Sequence, residues 1–186
     1  QYNQPERKGV VKLFRGVIFQ LSKEMRIFLQ KRDALEDEAM YWRPSVICIS
    51  NLTFRRNAAF ELLSLISHKY GFGTYIHHIE GFLNEKTSAE AKKTLNKLRI
   101  ISESANSKVF LNTIVSPSYT SAIAQAIQLP GVSGKDNNMI LFEYSDSEPE
   151  MLEVIASNYE LLSVTQFDIC VLRCTERNYG SKKEIH

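Results

Sequence analysis

Tyr41-Trp42-Arg43-Pro44-Ser45-Val46-Ile47-Cys48-Ile49-Ser50 is the stretch whose reading decides the fold. The Pro44 ring disfavours helical geometry at the residue before it, so Arg43 must be extended and any helix upstream has to end there. A short apolar, β-branched segment follows at once, as expected of a strand buried on both faces. The junction separates an attached segment, residues 1–40, from a folded domain, residues 41–176. It also makes Trp42, the only Trp, together with Arg43 and Pro44, a structural seam in which the indole is expected to be buried. Residues 177–186 read as the lead-in to a second subdomain.

Upstream of the junction, residues 10–40 read as one long amphipathic helix. Val10, Phe14, Val17, Ile18, Leu21, Met25, Phe28 and Leu29 recur at three- and four-residue spacing. Lys8, Lys12, Arg15, Lys23, Arg26, Lys31 and Arg32 take much of the opposite side, and acidic residues take over only at the end, in Asp33, Glu36, Asp37 and Glu38. Such a helix serves as a membrane-surface element, a partner-binding helix, or a helix docked on its own domain. Its apolar residues, Phe14, Phe19 and Phe28 among them, exceed what one face of a small sheet domain covers. A two-fold homodimer through this helix, with the sheet edge as a second contact, is therefore expected.

Downstream, strand and helix patterns alternate. Strands are expected at 46–50, 73–80, 108–115, 138–144 and 167–173, each short and apolar at nearly every position. Helices are expected at 57–70, anchored by Phe60, Leu63, Leu65 and Ile66, and at 85–104, with Leu95, Leu98 and Ile101 inward. Two more follow at 118–128 and 148–162, the last opened by Ser147 as N-cap with Pro149 in its first turn. This alternation specifies an α/β fold: three layers around a mostly parallel five-stranded sheet, preceded by the long helix.

Composition sets the limits. With 186 residues, 44% apolar and 24% charged, the chain builds one core and an appendage. A formal charge of +2 supplies no global field for nucleic acid. Cys48, Cys170 and Cys174 lie in apolar runs without metal-ligand spacing and read as reduced core thiols. No run approaches the roughly 20 apolar residues of a membrane span, so the chain by itself is expected to be soluble.

Ligands of such sheets settle beyond the carboxyl ends of the strands. After the first strand comes Asn51-Leu52-Thr53-Phe54-Arg55-Arg56-Asn57, without glycines and with Leu52 and Phe54 crowding the approach of a phosphate. Arg55 and Arg56 suit either an anion at a helix N-terminus or a solvated loop, and the solvated loop is favoured. Gly131-Val132-Ser133-Gly134, with Tyr144-Ser145 ten residues further on, resembles the glycine pattern of ATP-binding universal stress proteins. It departs from that pattern at Tyr144 and in preceding a strand rather than following one. His77 and His78, adjacent in a strand, point to opposite faces and cannot share a metal. Ser116-Pro117-Ser118 lacks the G-x-S-x-G of a nucleophile elbow and reads as a helix cap. Glu80 and Glu85 form the nearest acidic pair, with no base converging on it. No catalytic, cofactor or metal residues are assigned.

The order of motifs is similar to that of the cation–chloride cotransporter family. Tyr41-Trp42-Arg43-Pro44 resembles the Asn-Trp-Arg-Pro junction at the start of that family's cytoplasmic C-terminal domain. Gly71-Phe72-Gly73-Thr74-Tyr75-Ile76 and Ile79-Glu80-Gly81-Phe82 resemble its second strand and glycine turn. The strand at 109–115 and the loop 127–134 before Asn138-Met139-Ile140-Leu141 follow in the same order, and Gly180-Ser181-Lys182-Lys183-Glu184-Ile185 looks like the approach to its second subdomain. The resemblance spans nearly the whole chain. Tyr41 replaces the usual Asn, and the loops are compact, as in a prokaryotic member. It implies a non-enzymatic regulatory and dimerisation domain of a multi-span secondary transporter, amino acid permease-like in its wider kinship and carrying sodium, potassium and chloride by symport. The implied place is the cytoplasmic side of the cell membrane. The implied partners are the protein's own transmembrane domain and a second copy, with the N-terminal helix near the membrane surface, and the implied fold is universal-stress-protein-like and Rossmann-like. The competing reading is a universal-stress-protein-like small-ligand-binding module; the glycine-free, acidic Tyr144-Ser145-Asp146-Ser147-Glu148 disfavours phosphate there.

Overall fold

The computed structural model describes residues 15–28, 42–132 and 136–174. The chain divides into two compact units, one running to Trp42 and the other comprising Arg43–Val132 and Asp136–His186. In the first, residues 15–28 are helical (α1), and each of them is exposed. The remainder of the expected 10–40 helix, Phe14 included, lies outside the described residues, as does the expected lead-in at 177–186.

The second unit alternates strand and helix: β1 (Ser45–Ser50), α2 (Ala58–Lys69), β2 (Phe72–Glu80), α3 (Glu85–Ser104), β3 (Phe110–Ser116), α4 (Tyr119–Ile127), β4 (Met139–Ser145), α5 (Glu150–Ser163) and β5 (Asp168–Cys174). The strands form one sheet in the order β3-β2-β1-β4-β5. Every neighbouring pair is parallel, with Ser45 beside Phe72 and Val46 beside Met139 on the two edges of β1. All six β1 residues are buried. Their alternation feeds two cores: Ile47 and Ile49 pack with Ala122, Ile123 and Ala126 of α4 and Ile155 and Leu162 of α5. Val46 and Cys48 pack with Ala59 and Leu63 of α2, Tyr75 and Leu141.

Local chemistry explains the element boundaries. Asn84 and Thr87 form a reciprocal capping box that starts α3. The Ser118 hydroxyl accepts from the Ser121 amide, 3.1 Å, and opens α4. The expected start of the last helix is corrected: α5 begins at Glu150 with Pro149 at its cap, and Ser147 pairs with the Ser145 hydroxyl instead, 2.9 Å. A turn closed by Glu148 N–H to Ser145 O, 2.9 Å, holds residues 145–148 out of the helix. Leu65 and Ile101 are exposed, because α2 and α3 bury the faces of Ala59/Leu63 and Thr94/Leu98. The outer strands β3 and β5, each paired on one side only, are half-exposed along much of their length rather than apolar throughout.

The seam at the start of β1 is built differently from the sequence expectation. Trp42 is 57% exposed, so the indole is not a buried anchor. Backbone does the joining. The Asn138 side chain accepts from the Ser45 amide and donates to the Arg43 carbonyl, both at 2.8 Å, clamping the chain on either side of Pro44. The Pro44 carbonyl accepts from Phe72 N–H, 2.9 Å, which brings residue 71 so close that any Cβ there would collide with the Pro44 oxygen. Gly73 lies close against α2, since a Cβ would collide with Ser67 Oγ and sit 2.6 Å from Leu63 Cγ.

Asn138→Ala removes two hydrogen bonds and leaves the buried Ser45 amide without its partner. A loss of about 2 kcal/mol in urea unfolding is expected. Trp42→Ala, by contrast, should stay within about 0.5 kcal/mol of the parent. Reversal of that ranking would restore the indole as the anchor.

Candidate functional site

In a doubly wound sheet the loops leaving the two central strands diverge to opposite faces, and the crevice between them is the usual ligand position. Here it lies between the carboxyl ends of β1 and β4, bounded by residues 51–57 and 145–149. The protein's own charges bridge it. Arg56 Nη2 meets Glu148 Oε2 at 2.5 Å, and Arg55 Nη1 lies 3.6 Å from Glu148 Oε1. The expectation of a solvated arginine pair is corrected for Arg56, whose side chain is 4% exposed against 29% for Glu148. It holds for Arg55, which is exposed. Glu148 thus lies against both arginines of the loop that leads into α2.

On the α2 side of the sheet a buried polar group lies behind this pair. Glu143, on β4, is buried, and its Oε1 has no hydrogen-bond partner among the described residues. Burial pushes the Cys48 thiol far up, and the Glu143 carboxylate adds to the shift. Cys174 is pushed up to about 11 by burial and by Glu143, against a smaller opposing effect of Arg56. Neither thiol supplies the thiolate that nucleophilic chemistry needs.

Beside the crevice, Tyr75 OH donates to Thr53 Oγ1, 3.2 Å, and Thr53 Oγ1 meets His77 Nδ1 at 2.7 Å. Thr53 Oγ1 thus lies between the Tyr75 hydroxyl and His77 Nδ1, and with one hydrogen and two lone pairs it can serve either tautomer of the ring. Burial holds the His77 pKa below its ordinary value, the adjacent His78 lowers it further, and Glu90 opposes. Phe54 covers this histidine at 5.7 Å between ring centroids, with Lys97 Nζ 5.7 Å from the Phe54 ring. His78 points to the opposite face, as expected. It is buried against Tyr119, with Nε2 3.0 Å from the Ser116 carbonyl oxygen. His78 Nδ1 and Ser116 Oγ have no partner among the described residues.

The residues assigned from sequence do not converge on this crevice. Trp42 and Arg43 are exposed and Pro44 is half-buried, at the opposite, amino end of β1. Ile18, Leu21, Met25 and Phe28 lie along α1, each more than half exposed. Glu80 and Glu85 are both exposed. Sequence reading missed Asn138, Glu143 and the Arg56–Glu148 bridge; a lone Glu inside the apolar strand Met139–Ser145 was the one signal available. Among the described residues no three His, Cys, Asp or Glu side chains form a metal-holding group. None of the helices there is long and apolar enough to cross a membrane. A separate apolar groove of about 550 Å³ lies between α5 and β5, lined by Ile155, Ala156, Tyr159, Ile169 and Val171. No protein-family model matches the chain, and no curated protein matches it closely enough to count as a relative.

Removing Glu148 leaves a buried guanidinium without its nearest counter-charge. Glu148→Ala should therefore cost roughly 3 kcal/mol, and combining it with Arg56→Met should recover part of that loss. Additive losses in urea unfolding would show that the pair is not coupled. For His77 the sign follows from its depressed folded pKa. Its contribution is complete above the ordinary value of 6.5 and is lost progressively as pH falls from there toward the folded value. His77→Gln should flatten the stability–pH curve in that window; an unchanged slope would remove His77 as its source.

Proposed function

We propose that the chain is a non-enzymatic regulatory and assembly domain of a secondary transporter of the cation–chloride cotransporter type, lying on the cytoplasmic side of the membrane and working as a two-fold homodimer. In this reading α1 is an amphipathic connecting helix toward the transmembrane domain. The α/β unit is universal-stress-protein-like in plan, without a nucleotide loop. The observation that supports it is the Arg56–Glu148 bridge, which sets a carboxylate of the protein itself between the loops that leave β1 and β4. The motif order supports the same reading. Two of its elements have structural reasons here: Gly71 and Gly73 sit where a Cβ would collide, and Arg43-Pro44 enters β1 under the Asn138 clamp.

The deciding measurement is chloride-dependent rubidium uptake by cells expressing the gene that encodes this chain, with and without its codons for residues 43–174. Uptake that requires chloride and whose rate or surface level changes on deletion is expected. Uptake indifferent to chloride would end the transporter reading. Micromolar ATP binding in calorimetry would point instead to a small-ligand module.

A further inference from the structure

In α1, Val17, Ile18, Leu21, Met25 and Phe28 are each more than half exposed. At about 100° per residue they share a single arc of roughly 100°. Arg15, Lys23 and Arg26 lie outside that arc, and all three are exposed. The charge of the whole chain is divided in the same sense. Residues 1–32 hold eight basic and two acidic side chains, a formal +6, so the remainder carries −4 within a total of +2.

We propose that α1 is a docking element for an anionic lipid surface. Its apolar stripe enters the boundary between headgroups and acyl chains, and its basic side chains meet the lipid phosphates and carboxylates. The charge selects this occupant. A second copy seated on the same stripe would bring two segments of +6 together, whereas an anionic surface turns that repulsion into attraction. The net-negative remainder of the chain gains nothing from such a surface, so the attraction is confined to the segment that carries the stripe. Lipid docking leaves the two-fold contact to the α/β unit. It does not depend on chloride transport, so the vesicle and uptake experiments can fail separately.

The test is co-sedimentation of the full chain with vesicles of phosphatidylcholine containing phosphatidylserine, and with vesicles of phosphatidylcholine alone. Binding to the first and not the second, released by added salt as the charges are screened, is expected. Leu21→Glu combined with Met25→Glu should abolish it. These changes fall on exposed positions outside the sheet unit, and far-UV circular dichroism checks that the α/β unit stays folded. Lys23→Gln combined with Arg26→Gln should weaken partitioning about thirtyfold, each basic residue near the surface being worth roughly a fivefold factor. Absence of binding to the anionic vesicles overturns the proposal, as does equal binding to both kinds. So does a parent chain that ignores vesicles but whose dimer, seen by light scattering, dissociates on Leu21→Glu with Met25→Glu; a second copy would then own the stripe.

Discussion

A parallel strand covered on both faces has no water with which to satisfy its backbone, so every amide and carbonyl along it needs a partner on one edge or the other. β1 is such a strand, buried at all six positions, and the rest of the unit is arranged around that requirement. β2 takes one edge from Ser45 to Ser50, while β4 takes the other from Val46 to Cys48. Where β4 has not yet begun, the Asn138 side chain stands in for a strand, accepting from the Ser45 amide as a neighbouring carbonyl would. The same residue's amide donates to the Ser45 carbonyl, 3.1 Å. Asn at this place thus carries the hydrogen bonding of the sheet past its end.

Satisfying β1 also dictates the glycines opposite it. Phe72 donates to the Pro44 carbonyl, and that contact leaves no room for a side chain at residue 71. Two residues on, α2 lies against β2 through Leu63 and Ser67, again over a glycine. Gly71 and Gly73 therefore report close approach of backbone and helix, and their spacing of two places both at the junction of β1, β2 and α2. The work assigned from sequence to a large aromatic ring at Trp42 is carried by backbone hydrogen bonds and by the absence of side chains.

At the other end of β1 the constraint is electrostatic. A guanidinium as buried as Arg56 requires a counter-charge, and Glu148 supplies it from across the point where the chain switches faces. The pair ties the β1–α2 loop to the β4–α5 loop and accounts for Glu148 standing outside α5. Glu143, Cys48, Tyr75 and Thr53 continue the polar group inward, with a thiol and a phenol that burial keeps protonated.

The alternation of short apolar runs with amphipathic stretches was enough to place five strands and the four helices between them, because period and turn chemistry act within a few residues. α3 was legible to the residue, since Asn84 and Thr87 form their cap locally. β1 was legible because Pro44 ends whatever precedes it. The burial of Arg56 was not legible: its counter-charge lies 92 positions away, and an arginine in a polar loop has the same local sequence whether or not a carboxylate waits across the sheet. Asn138 was hidden for the same reason, its partners being 93 and 95 positions distant. The sequence by itself determined the elements, their order and the faces of its central strand. Only the tertiary structure decided which polar residues turn inward and that Trp42 stays out, because those outcomes depend on long-range partners that strand pairing alone brings together.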